Sequence, residues 1–266
     1  MTARDARERV EDATAGPDAP HRWHPGWLLL GCGVAALLCW SWFGGWLRPG
    51  WDRVDEHVFF ALNGSLAEGD LWRWLWAAAN TRLKDAVTGA LFAAIFAVYI
   101  WRGGLVGASR RLAQGMFVAA YTVLVLDVSS NYLFTFERLS PSLVLEPAHR
   151  IYDVITAVKV KDASGNSFPG DHGTAVLMFT GLIAFFCGRR YALFAAALAF
   201  VAIWPRLVAG AHWLSDLGVG SASIALVALS VALATPVAAV LTGLATRLLR
   251  TLATPLVRSG WLPPDF

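Results

Sequence analysis

The sequence predicts an all-α integral membrane protein, a bundle of six transmembrane helices with short interfacial helices on one side. Three observations predict it. Of the 266 residues, 56% are hydrophobic and only 15% charged, whereas ordinary soluble domains hold an apolar share of about 45–50%. Apolar runs near 27–46, 86–101, 113–134, 173–188, 191–209 and 217–245 approach the roughly 20 residues that carry a helix across a bilayer. Trp23, Trp27, Trp40, Trp42, Trp46, Trp51, Trp72, Trp74 and Trp76 crowd near the ends of such runs, where indole rings favour the membrane interface.

The elements follow in order. Residues 1–22 are polar, charged and rich in Ala and Pro, the composition of a disordered tail, and are too long and too acidic for the head of a cleavable signal peptide. The first apolar run is therefore expected to remain as a span. After it, "WDRVDEHVFFALNGS" and "GDLWRWLWAAANTRLKD" each carry an aromatic and a charged face and read as interfacial helices. The fourth run is short, and the sixth is long enough to tilt or to end along the interface. A six-span domain over 23–250 and a C-terminal tail over 251–266 complete the division.

Charge orients these spans. Arg102, Arg110 and Arg111 lie between the second and third runs, Arg189 and Arg190 between the fourth and fifth, and Arg247, Arg250 and Arg258 after the sixth. They fall on one side with Arg4, Arg7, Arg9 and Arg22, the side that the positive-inside rule makes cytoplasmic. Both termini are then inside, and 47–85, 135–172 and 205–216 face outward, into the periplasm of a Gram-negative cell. The formal net charge of +3, without a basic patch interleaved with aromatics, excludes nucleic acid as a partner. Cys32, Cys39 and Cys187 sit in apolar runs as small core residues.

The chemistry-bearing residues all lie in the outward segments. In "PRLVAGAHWLSD" (205–216), His212 and Asp216 stand four apart. On a helix they share a face, so Asp216 can accept from one ring N–H and leave the other nitrogen free. His212 thus reads as an oriented nucleophile or base. In "SFPGDHGTAVLMF" (167–179), Asp171 and His172 stand just before an apolar run, where polarity is costly unless used. Arg138, Lys161 and Arg206 supply outward cations suited to phosphate oxygens, and Gly170 and Gly173 open the backbone at a helix start that favours an anion. Two histidines, three cations and a helix N-terminus describe phosphoryl transfer, with one histidine attacking and the other protonating the leaving oxygen.

Plainer roles compete residue by residue. Asp171 can cap its helix, Arg206 can anchor a span end, and His21, His24, His57 and His149 read as packing or capping groups. In "NTRLKD" (80–85), Arg82 and Lys84 suit helix anchoring better than ligand contact. A metal held by His172, His212 and Asp216 is disfavoured because the neighbouring cations would repel it.

These residues resemble the type 2 phosphatidic acid phosphatase superfamily, whose pattern is KxxxxxxRP, then PSGH, then SRxxxxxHxxxD. The third element keeps Arg206, His212 and Asp216 at the required spacing, with Pro205 in place of Ser. The second is "PGDH", with His172 retained and Gly170 and Asp171 at the Ser and Gly places. The first survives as "NYLFTFERL", with Asn131 at the Lys position, Arg138 at the Arg and Leu139 at the Pro. Lys161 is the candidate for the missing charge. The stretches "ERLSPSL", "KDASGNSFPGDHG", "PRLVAGAHWLSDLGVG" and "NTRLKD" look like one branch, the lipid A 1-diphosphate synthase group.

That resemblance implies a six-span enzyme of the bacterial inner membrane. It would move the distal phosphate of undecaprenyl diphosphate to the 1-phosphate of lipid A, without a metal or other cofactor. It implies His212 as the nucleophile that becomes a phosphohistidine, Asp216 as its orienting acid and His172 as the acid–base group. Arg138, Arg206 and Lys161 would hold the transferred phosphate with N–H groups near Gly170 and Asp171. Arg82, Lys84, Asn131 and Ser167 are further candidate lipid or phosphate contacts. Hydrolysis of undecaprenyl diphosphate or another lipid phosphate is the alternative within the superfamily; a non-enzymatic protein binding anionic lipid is the alternative outside it.

Overall fold

A computed structural model describes residues 21–134, 136–155, 157 and 159–266, so nearly all of the tail expected over 1–22 lies outside the described residues. These are helical or irregular, with no strand among them. The helices are α1 (Pro25–Phe43), α2 (Arg48–Asn63), α3 (Asp70–Ala79), α4 (Arg82–Arg102), α5 (Ala108–Val128), α6 (Ile151–Val154), α7 (Asp171–Cys187), α8 (Arg189–Val208), α9 (Ala222–Ala234) and α10 (Val237–Arg258). Pro25 opens α1, where a missing N–H costs nothing, and Thr81 caps α4 by accepting the Lys84 N–H at 3.3 Å. A π-helical turn extends α5 to Leu133, and another over Asp216–Ser221 leads into α9.

Six helical stretches among the described residues are long and apolar enough to cross a membrane, including α10. The 17-residue α7 is shorter, with an apolar run behind Asp171 and His172 at its head. The protein is a multi-pass membrane protein. Helices α1, α4, α5, α7, α8 and α9 alternate in direction. Phe92, Phe96, Phe117, Met178, Leu182 and Phe186 form the centre of their core. Alternation brings the starts of α4 and α7 and the ends of α5 and α8 to one end of the bundle. His24 donates its N–H to the Ala234 carbonyl at 2.8 Å, so both α1 and α9 meet at the opposite end.

The last span departs from expectation. The run 217–245 does not form one helix: α9 stops at Ala234, Thr235 is extended (φ −124°, ψ 167°), and α10 begins after Pro236. A residue before proline is pushed out of the helical region, and proline supplies no N–H to continue the ladder. The stretch 251–266, expected as a tail, instead continues α10 to Arg258 and folds back. The Gly107 N–H meets the Asp265 carbonyl at 2.7 Å, and Ser109 Oγ donates to the Phe266 carbonyl at 2.7 Å.

The two interfacial helices form as expected, but α2 does more than lie on a surface. Asp55, Phe59 and Asn63 recur every four residues and are buried on one face. Asn63 donates to the carbonyls of His149 (3.2 Å) and Val208 (3.1 Å) and accepts the His149 N–H at 2.7 Å. Asn80, after α3, donates to the carbonyls of Trp76 and Pro205, both at 2.9 Å. Two buried amides thus tie the short helices to the end of α8.

Helix α1 reaches α9 through Gly31, where an added Cβ would overlap the Ser230 side chain. A Gly31→Val variant is expected to lower the thermal midpoint in detergent by several degrees, in line with the ~1–3 kcal/mol cost of overpacking. Gly33→Val, with nothing within 4 Å of the new Cβ, should leave it unchanged. Equal losses would mean that α1 does not lean on α9 at Gly31.

Candidate active site

The site forms where α8 ends. Gly210 adopts φ +70°, the left-handed conformation that closes a helix. The Ala211 N–H returns to the Arg206 carbonyl at 2.9 Å and the Gly210 N–H to Leu207 at 3.0 Å, a Schellman closure. His212 therefore stands on a loop, not on the helix that its spacing to Asp216 suggested. The loop is fixed all the same: Asp216 Oδ2 accepts the Trp213 N–H at 2.9 Å, as the third-position acid of a capping box does.

His212 is 7% exposed and turns Nδ1 to the Ser167 carbonyl at 2.9 Å, with Asp216 Oδ2 at 3.4 Å. A carbonyl acceptor requires a proton on Nδ1, which leaves Nε2 with the lone pair. The Ser167 carbonyl is thus the direct orienting acceptor, and Asp216 adds negative charge beside the ring. Spacing alone assigned both tasks to Asp216.

Behind Asp216 stands a buried ion network. Arg138 donates to Asp216 Oδ1 at 2.5 Å, to Ser215 Oγ at 2.9 Å and to Asp55 Oδ2 at 2.9 Å. Its guanidinium lies 5.0 Å from the Trp42 ring and 4.8 Å from Trp213. Ser215 gives both its N–H and its hydroxyl to Asp55. Arg138, expected as a phosphate ligand, is thus occupied by two carboxylates and holds the base of Asp216. Burial pushes the Asp55 carboxyl above its usual value, against hydrogen bonds from Ser215 and Arg138 that pull it down.

A second cluster assembles around His172 at the start of α7. His172 Nε2 lies 3.1 Å from Asp85 Oδ2 and 3.5 Å from an Arg206 nitrogen. Arg206, 2% exposed, donates to Asp85 Oδ2 at 2.6 Å and to the Lys161 carbonyl at 3.1 Å. Lys84 Nζ stands 3.8 Å from Asp85 Oδ1 and donates to the Ala202 carbonyl at 2.6 Å. Asp85 went unnoticed in the sequence, though it closes the "NTRLKD" stretch. Asp55 did too, inside an amphipathic helix.

Other expected contacts fall elsewhere. Lys161 has an exposed side chain and meets Arg206 only through its carbonyl, so Lys84 is the lysine beside the cluster. Asn131 is exposed and donates to Asp127 at 2.9 Å, and Arg82 is exposed. Asp171 accepts from Ser130 at 2.9 Å. The Gly170 N–H faces the Asp216 carbonyl at 3.5 Å, and the residue packs against Leu217 and Ser221. Ser167 contributes its carbonyl, while its hydroxyl is buried without a protein partner.

Such a molecule is a helical membrane protein with two histidines, each set against a carboxylate, at one end of its bundle. The sequence profile of the PAP2 superfamily matches residues 112–240. The chain is 31% identical over 204 residues to lipid A 1-diphosphate synthase of Escherichia coli (strain K12), covering 77% of this chain and 84% of that one. It is 29% identical over 168 residues to the putative undecaprenyl-diphosphatase YbjG of the same organism, covering 62% and 75%. No solved structure matches. The chain belongs to the PAP2 superfamily and is an enzyme acting on lipid phosphates.

The raised pKa of Asp55 has a testable sign. The folded state holds this proton more tightly than the unfolded chain does. The contribution is therefore full below about pH 4 and is lost as the pH rises through the folded value. The thermal midpoint of the wild type should gain on that of Asp55→Asn as the pH is lowered from about 7 to about 4. A constant difference would mean that Asp55 titrates as it does in the unfolded chain.

Proposed function

We propose that this enzyme transfers the distal phosphate of undecaprenyl diphosphate to the 1-phosphate of lipid A through a phosphohistidine, giving lipid A 1-diphosphate and undecaprenyl phosphate. The observation that carries this reading is the pair of histidines held differently at one end of the bundle. His212 is turned by the Ser167 carbonyl so that Nε2 is free, and His172 sits beside Arg206 at the head of α7.

In the first step His212 Nε2 attacks the distal phosphorus. The bond to the bridging oxygen breaks as His172 protonates that oxygen, and undecaprenyl phosphate leaves. Asp55 and Asp216 share a single guanidinium, and their excess negative charge favours the positive ring that forms. Arg206, with a buried Nε that lacks a protein partner, Lys84 and the uncapped N–H groups opening α7 face the transferred phosphate. In the second step neutral His172 takes the proton from the 1-phosphate of lipid A, whose oxygen attacks the phosphorus of the phosphohistidine; the P–Nε2 bond breaks and His212 is released neutral.

The lipid substrates follow the relative named as a lipid A 1-diphosphate synthase. The relative named as a putative undecaprenyl-diphosphatase supports a second reading, hydrolysis, in which water replaces the lipid acceptor at the same phosphoenzyme. The location that fits is the bacterial inner membrane with the site toward the periplasm. Arg102, Arg110, Arg111, Arg189 and Arg190, at the opposite end, favour the cytoplasmic side for that end and for both termini.

Purified protein supplied with undecaprenyl diphosphate labelled on its distal phosphate and with lipid A is expected to place the label on lipid A. His212→Ala should lower turnover by about 10³-fold or more. Label appearing only as free phosphate, whatever the acceptor, would make the enzyme a phosphatase. Undiminished turnover in His212→Ala would remove the phosphohistidine.

A further inference from the structure

We infer that Asp85, on α4 and outside the three motifs of the superfamily pattern, is the positioning residue that makes His172 work through Nδ1, by holding the proton on Nε2. The inference rests on the proposed role of His172 as the acid–base group and adds the partner that this role requires.

The two histidines are held by opposite nitrogens. His212 is anchored through Nδ1, against the Ser167 carbonyl and Asp216. His172 is anchored through Nε2, 3.1 Å from Asp85 Oδ2. At that distance a lone pair on Nε2 would repel the carboxylate oxygen, so Nε2 carries the hydrogen and donates it. The Arg206 nitrogen, at 3.5 Å from Nε2, is a donor that spends its shorter contact, 2.6 Å, on the same carboxylate oxygen. Two donors therefore converge on one Asp85 oxygen, and the ring nitrogen left to exchange protons with substrate is Nδ1.

Among the described residues, Asp85 also places the one negative charge that touches the ring. Lys84 from α4 and Arg206 from α8 both disfavour a second proton on His172, and Asp85 is the facing group that favours it. Asp171, the neighbouring acid on α7, is turned to Ser130. With Asp85 ionised, the imidazolium can give its Nδ1 proton to the departing phosphate oxygen and keep its Nε2 proton on Asp85 throughout. It recovers the Nδ1 proton from the acceptor in the second step, so the cycle closes with no net change at either residue. Removing the carboxylate leaves the ring facing two cations.

The test is the pH profile of undecaprenyl phosphate release, which reads donor turnover whichever acceptor is used. In Asp85→Asn the alkaline limb is expected to move to lower pH by about one unit or more, with turnover near pH 8 falling by about 10–100-fold. The KM for the donor should change less than kcat. Asp85→Glu should recover part of the rate and return the limb toward its wild-type position. Arg206→Lys, which weakens phosphate binding but keeps the charge, should raise KM and leave the limb in place.

An unmoved alkaline limb in Asp85→Asn, with His212→Ala inactive, would overturn the Asp85 inference and spare the proposed function. A loss in Asp85→Asn that is equal at every pH and is not relieved by Asp85→Glu would mean that Asp85 acts only as scaffold, and would overturn it too. Undiminished turnover in His212→Ala would instead remove the reading on which the inference rests.

Discussion

The site depends on one guanidinium. Arg138 holds Asp55 from the surface helix α2, Asp216 from the turn before α9, and the Ser215 hydroxyl between them. Through Asp216 it reaches His212, and through its own carbonyl it takes the Ser167 N–H at 2.7 Å. The Ser167 carbonyl in turn orients His212. Three chain segments far apart in sequence meet on this side chain, which lies against the rings of Trp42 and Trp213. Losing one partner of such a buried set leaves an uncompensated charge, which costs about 3–5 kcal/mol. The loop that carries the proposed nucleophile can therefore be as rigid as a helix.

The second cluster follows a different logic. Around Asp216, two carboxylates surround one cation; around His172, two cations surround one carboxylate. One side thus favours a histidine that becomes positive, and the other favours an incoming anion. In the proposed reaction, the transferred phosphate would have a nucleophile backed by negative charge on one side and positive charge on the other. Preorganised charge of this kind contributes more in a dry site than it would in water.

Much of this was legible in the sequence. Hydropathy marks each membrane run because every turn of such a helix must satisfy its backbone internally and present apolar side chains to lipid. It misses the boundary between α9 and α10 because Ala234 to Val237 carries no charge, while Pro236 ends the helix. The spacing of Arg206, His212 and Asp216 gathers the right residues but suggests the wrong backbone, since Gly210 closes α8 two residues before His212. Asp55 and Asp85 are illegible for a plainer reason. Their partners lie 83 and 121 residues away, and no local period encodes a pairing that only the folded bundle creates. Lys161 stood out as an outward cation able to replace the charge missing at Asn131, yet its side chain is exposed, and Lys84 reaches the cluster because α4 starts there.

The surface helix α2 has a consequence for how a lipid reaches the site. An amphipathic helix lying over a membrane enzyme is an obvious gate, but α2 contributes Asp55 to the Arg138 network and Asn63 to the backbones of His149 and Val208. Lifting it would break a buried ion pair as well as those bonds. At about 3–5 kcal/mol, an open form would be populated less than once in roughly a hundred molecules. Helix α2 is thus a fixed wall beside the site and not a gate over it.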